Sequence, residues 1–173
     1  MFKKHHVSAI IAAAMLAVPV SAQDQTAVDP SEQIDYTGFA ELVEKVQPYR
    51  ESRLLERAAF FEKAREQGVL LLDTRSAEAF KAGHLEGAVN LPFSDFTSAS
   101  LAKVIGENAG RPILIYCNNN FVDDVPPIRT KLATLALNIP TFVNLYGYGY
   151  TNIWELEGTM TTASVDWVAA ETD

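Results

Sequence analysis

Apolar positions in this chain switch between helical spacing and short unbroken blocks, and the switches divide it into elements. Phe39, Leu42, Val43 and Val46 fall on one helical face that Thr37 can cap, and Pro48 should end that helix. Leu54 to Gln67 predicts a second helix, with Leu54, Leu55, Ala58, Phe61 and Ala64 at helical spacing and Gly68 as its stop. Val69 to Leu72 is an unbroken apolar block, read as a buried strand ending at Asp73. Ser76 caps a brief helix to Lys81, closed at Gly83. A turn over residues 84–88 then leads into an extended piece, Val89 to Leu91. Ser98 or Ser100 caps a helix through Ile105.

Ile113, Leu114, Ile115 and Tyr116 form the next apolar block, β-branched and aromatic, bounded by turn formers. Being apolar on both faces, it suits a central strand covered on both sides by helices. Beyond it, Val125-Pro126-Pro127 can open a helix, since a proline in the first turn loses no intrahelical bond. Ile128, Leu132 and Leu135 mark its face, and it should end near Asn138-Ile139-Pro140. Thr141 to Leu145 reads as a strand, Tyr146 to Tyr150 as a loop, and Trp154 as part of a last short helix. The tail from Gly158 has weak periodicity and is assigned no element. Strands alternating with helices make an α/β domain with a largely parallel sheet.

The first 22 residues stand apart. Lys3, Lys4, His5 and His6 give a basic start, Val7 to Val18 is an apolar run too short to span a bilayer, and Val20-Ser21-Ala22 offers small residues after Pro19. This pattern is that of a secretory signal peptide cleaved after Ala22, which implies a periplasmic or secreted protein. Residues 23–35 read as a flexible polar leader, 36–158 as one domain and 159–173 as a C-terminal tail. Removing Lys3 and Lys4 from the 14 basic residues leaves 12 against 22 acidic ones, a net charge near −10. That balance excludes nucleic acid and anionic membrane surfaces as expected partners, and no later stretch is long and apolar enough to span a membrane. The one cysteine, Cys117, has no intramolecular disulfide partner. It sits where the central strand stops, at the sheet edge where α/β folds bind ligands.

Together these pieces resemble the rhodanese-like (sulfurtransferase) family, from about Val69 to Trp154. The resemblance rests on Leu71-Leu72-Asp73-Thr74-Arg75 with Phe80, then Gly83-His84-Leu85-Glu86-Gly87-Ala88-Val89-Asn90-Leu91-Pro92. The strand ending in Tyr116-Cys117 follows, then Val143-Asn144-Leu145-Tyr146-Gly147 and Trp154. It implies a three-layer α/β/α fold with a mostly parallel central sheet. It also implies that Cys117 is a nucleophile that carries sulfane sulfur as a persulfide, taken from a small sulfur-containing anion or persulfide donor and passed to a thiol acceptor. In that family backbone N–H groups and the following helix start face the sulfur, which lowers a thiol pKa and implies a thiolate at neutral pH. Asn118, Asn119, Asn120, Phe121 and Val122 fall in the loop that would bind substrate. Asp73, Arg75 and His84 fall at positions that are structural beside the site, and neither cofactor nor metal is implied.

The loop departs from the family pattern, because Val122 stands where an arginine is usual and Asp123 and Asp124 follow it. Acidic neighbours repel an anionic donor and raise a thiol pKa, unless they point away as helix caps. The nearest later arginine, Arg129, falls in the expected helix. Asn118, Asn119 and Asn120 either supply neutral donors in place of arginine or only shape the loop. Tyr146, Tyr148 and Tyr150 either line the pocket mouth or act as packing and turn residues. The alternative to an enzyme is a catalytically silent binding or sensory module with a protein partner. A phosphatase reading lacks the arginine that would hold phosphate.

Overall fold

The computed structural model describes residues 33–106, 108–123 and 126–169. The expected signal peptide and the leader up to residue 32 lie outside them, as do Asp124 and Val125. The chain divides into two units, Met1–Asp35 and Tyr36–Asp173. Of the first, residues 33–35 are described and hold no regular element.

The second unit is an α/β domain. In chain order it has α1 (Tyr36–Glu51), β1 (Leu54–Leu55), α2 (Arg57–Ala64), β2 (Leu70–Asp73), α3 (Ala77–Ala82), β3 (Gly83–Leu85) and β4 (Val89–Asn90). After these come α4 (Ser98–Ile105), β5 (Ile113–Tyr116), α5 (Asn138–Gly147), β6 (Ile153–Leu156) and β7 (Trp167–Ala169). Five strands form one sheet in the order β1-β6-β5-β2-β4, and every pairing in it is parallel. β5 lies at its centre, as the two-sided apolar pattern requires.

Side chains of a strand alternate between faces, and here the alternation sorts the core into two layers. Ile113 and Ile115 of β5 join Leu70 and Leu72 of β2 on the face covered by α1, α4 and α5. Leu114 and Tyr116 face the other way, toward Phe60 of α2, Phe121 and the β3–β7 pair. Cys117 is two residues past Ile115 and so falls on the α1–α5 side. Glu155, two past Ile153 in β6 and paired in register with Ile115, falls there too.

Several elements differ from the sequence pattern, each for a physical reason. α1 continues through Pro48, and its last turn is held by Tyr49, whose hydroxyl donates to the Thr151 carbonyl (2.6 Å), and by Arg50. Leu54–Leu55 is an edge strand rather than helix, because pairing with β6 satisfies its backbone. α4 is capped by Thr97, with Ser100 closing a capping box from inside the first turn. The turn expected over 84–88 begins as strand β3, and the tail supplies its antiparallel partner β7.

The largest difference follows Cys117. The expected helix around residues 128–135 does not form; a 3-10 turn over Ala133–Leu135 is the regular piece there. Pro140, read as a helix stop, lies in the first turn of α5, where its missing N–H costs nothing. The block Thr141 to Leu145 is therefore helical. A short apolar run does not by itself separate a strand from a buried helix, and burial of Thr141, Phe142, Val143 and Leu145 accounts for its composition. The stretch holding Trp154, expected as helix, is β6.

Candidate functional site

Cys117 directly follows β5 and is 1% exposed. The chain then makes a 3-10 turn, Asn118–Asn120, closed by the Asn120 N–H donating to the Cys117 carbonyl (3.0 Å). The backbone N–H groups of Asn138, Asn119 and Leu137 donate toward Sγ. Leu137 is the N-cap and Asn138 the first residue of α5, a helix start with no side-chain cap. The sulfur thus takes the place of a cap and accepts amide hydrogens that have no intrahelical partner.

The side chains of the three asparagines hold this loop together, and Asn119 and Asn120 also line the cavity onto which the sulfur opens. Asn118 Nδ2 donates to the Arg129 carbonyl (3.0 Å), and its Oδ1 accepts from Arg75 Nη1 (3.4 Å). Asn119 Nδ2 donates to the Lys131 carbonyl (2.7 Å), and its Oδ1 accepts from the Lys131 N–H (3.2 Å). Asn120 Oδ1 accepts from the Cys117 N–H (2.9 Å), while its Nδ2 donates to the carbonyls of Leu156 and Gly158 (3.0 Å each). They pin the excursion between β5 and α5 at both ends, so that the start of α5 arrives at the sulfur.

Phe121 and Val122 are not brought to the sulfur's cavity. Phe121 is buried on the opposite face of the sheet, edge-on to Tyr116 and Trp167. Val122 is exposed, and its N–H donates to the Met160 carbonyl (3.0 Å). Asp123 turns toward the tail, where Oδ2 accepts from the Thr162 N–H (2.6 Å) and hydroxyl (2.7 Å), bonds that lower its pKa. Arg129 lies outside any helix and is exposed. Tyr146 and Tyr148 are at the far end of α5, about 15 Å along the helix from its start. Tyr146 packs on Tyr49, and Tyr150 is buried in the core.

Asp73 and Arg75 form a buried pair between β2 and β3. Arg75 Nη2 donates to Asp73 Oδ2 (2.6 Å) and to the Gly83 carbonyl (2.8 Å), and the Tyr116 hydroxyl donates to the same Oδ2 (2.5 Å). Removing one partner of such a buried pair typically costs about 3–5 kcal/mol. His84 stacks on Phe80 with ring centroids 3.7 Å apart, its Nδ1 2.8 Å from the Phe80 carbonyl oxygen.

The sulfur opens on a cavity of about 430 Å³ lined in part by Val46, Arg50, Asn138, Phe142 and Glu155. Four of its polar residues, Gln47, Arg50, Asn138 and Glu155, are not singled out by the sequence pattern. Arg50 Nε and Nη2 donate to Glu155 Oε2 (2.6 Å) and Oε1 (2.7 Å), a fork-to-fork pair. Asn138 Nδ2 donates to Glu155 Oε1 and to Asn120 Oδ1, each at 3.2 Å. A carboxylate inside the run Ile153-Trp154-Glu155-Leu156 was the available signal, because a charge at a buried strand position needs a partner.

Burial pushes the Cys117 thiol above its ordinary range, and the Glu155 carboxylate adds to the rise. The amides of Asn138, Asn119 and Leu137 pull the other way without reversing it. The neutral-pH thiolate implied by the resemblance is therefore not what this arrangement favours: desolvation of a nearly inaccessible sulfur outweighs its donors. The carboxylate acting on the sulfur is Glu155, whereas Asp123 points elsewhere.

Residues 57–162 match the family model described as Rhodanese-like domain. No curated protein matches the chain. Among solved structures, the BH2092 protein from Bacillus halodurans is similar at 15% identity and TM-score 0.49, over 78% of this chain and 91% of that one. The Rhodanese_3 like domain from the Anabaena sp Alr3790 protein is similar at 17% identity and TM-score 0.41, over 61% and 96%.

Titrating the alkylation rate of Cys117 with iodoacetamide should give a midpoint above the unperturbed ~8.5. Glu155→Gln should lower that midpoint, since removing a negative neighbour favours the thiolate. A wild-type midpoint below neutrality would contradict the balance described.

Proposed function

The chain belongs to the rhodanese-like domain family, and from that membership we propose that it is an exported sulfurtransferase that carries sulfane sulfur as a persulfide on Cys117. One observation carries the reading: the sulfur at the end of the central strand meets backbone N–H groups from both the Asn118–Asn120 turn and the start of α5. Such fixed donors stabilise negative charge on sulfur without reorganising, whether on the attacking thiolate or on the persulfide that replaces it. Cys117 attacks the outer sulfur of a donor, holds it, and yields it to a thiol acceptor, so each half-reaction is a displacement at sulfur.

The raised thiol slows the first half-reaction at neutral pH, because the thiolate is the attacking form. The same rise, with Arg50 engaged by Glu155, favours a second reading: a binding module that keeps the fold and takes a protein partner. Incubation of the intact chain with thiosulfate or a small organic persulfide separates the two. The enzyme reading predicts one added sulfur atom by intact mass, lost in Cys117→Ser and discharged by an added thiol. No addition from either donor would leave the binding module.

Export rests on the basic start, the apolar run and the small residues before Gln23. When the full chain is expressed in a bacterial host, the form recovered outside the cytoplasm should begin at Gln23. A cytoplasmic product with its first 22 residues intact would rule export out.

A further inference from the structure

We propose that the cavity beside Cys117 takes an uncharged organic persulfide, a hydrogen-bond donor with an apolar body, in preference to inorganic thiosulfate, and that Glu155 sets this preference by occupying Arg50. The proposal rests on the reading of Cys117 as a sulfur carrier and names the donor that the site accepts.

Three observations carry it. The first is charge. Among the described residues lining the cavity, Arg50 is the one cation and Glu155 the one anion, and they are joined by two short hydrogen bonds. A dianion entering this space meets a cation already neutralised and a carboxylate of its own sign. The second is shape and polarity. Val43, Val46, Ala136, Phe142 and Val143 give the cavity apolar walls, which an organic substituent would cover and thiosulfate would not.

The third is an unpartnered acceptor. Asn138 is 4% exposed, and among the described residues no donor reaches its Oδ1. Its amide orientation follows from its neighbours. Asn120 Nδ2 faces two backbone carbonyls, so Asn120 Oδ1 faces Asn138, and Asn138 must turn its Nδ2 to that oxygen and to Glu155. Its carbonyl oxygen is left unpaired on a side chain that lines the cavity, and a buried acceptor left unpaired is costly. Thiosulfate offers acceptors alone and cannot satisfy it. A protonated persulfide brings an S–H donor and is also the electrophilic form.

The transfer balances without an oxidant or reductant. The Cys117 thiol loses its proton, and its Sγ attacks the outer sulfur of R–S–S–H. A bond forms between Sγ and that sulfur as the S–S bond of the donor breaks. The leaving R–S⁻ takes up the released proton, giving R–SH and the Cys117 persulfide. A positive charge beside the sulfur is not needed when neither reactant is a dianion.

The test follows addition of sulfur to the intact full-length chain by mass, with benzyl persulfide generated in situ and with thiosulfate, at equal concentration and mildly acidic pH, where more of the persulfide keeps its proton. Each rate is divided by that of a cysteine-containing peptide under the same conditions, which removes intrinsic reactivity. The wild-type chain should prefer benzyl persulfide by about tenfold or more, and Glu155→Gln, by freeing Arg50, should shift the ratio toward thiosulfate by about as much. A wild-type preference for thiosulfate, or none, overturns the donor assignment while leaving Cys117 as a sulfur carrier. Loading by neither donor overturns both. A folded Glu155→Gln chain with an unchanged ratio removes Glu155 from the explanation, and if that variant fails to fold the wild-type ratio still decides the donor.

Discussion

A helix that begins inside a protein must find acceptors for its first amide hydrogens, and at α5 the acceptor is a sulfur atom. Much of the site is arranged to meet that requirement. β5 is held between β2 and β6, so the position of Cys117 is fixed from both sides. α5 is anchored by Phe142, Val143 and Leu145 in the core, and by the Thr141 hydroxyl 2.9 Å from that of Thr74 at the end of β2. The excursion between them is tied by Asn118 and Asn119 to the carbonyls of Arg129 and Lys131. Slack in any of these would turn the first amides of α5 away from the sulfur.

The electrostatics of the site are those of a neutral cleft. Burial disfavours charge on Sγ, the amides favour it, and Glu155 opposes it. Arg50 would tip the balance if it were free, but the hydrogen bonds of Glu155 engage it and raise its own pKa further. Glu155 in turn is held by Asn138, whose backbone N–H faces the sulfur. A change in the Arg50–Glu155 pair therefore reaches Cys117 through one side chain. The acidic pair in the loop, which looks decisive in the sequence, is not part of this network at Asp123, whose carboxylate caps Thr162.

What the sequence made legible was local. The apolar block Ile113 to Tyr116 and the cysteine after it announce a buried strand with a thiol at its end, and β2, α3 and β4 follow their own patterns closely. From Val125 onward the pattern misleads. The Pro126-Pro127 pair resembles a helix start, whereas Pro140 marks the real one, and one proline rule permits both. A block of buried helix reads like a strand when it is short and apolar. Arg50, Asn138 and Glu155 come from three separate elements and meet through tertiary packing alone, so no spacing along the chain joins them. The strand assignment of β6 would have exposed Glu155 as an inward charge, and reading that stretch as helix hid it.

The central claim is that three fixed amides share one sulfur. Following the backbone amide protons of Asn119, Leu137 and Asn138 by NMR as pH rises measures it directly. The account predicts that all three shift downfield together as Sγ ionises, with one midpoint above the unperturbed ~8.5, and that the common transition vanishes in Cys117→Ser. Three amides that stay still through that range, or move with unrelated midpoints, would contradict it.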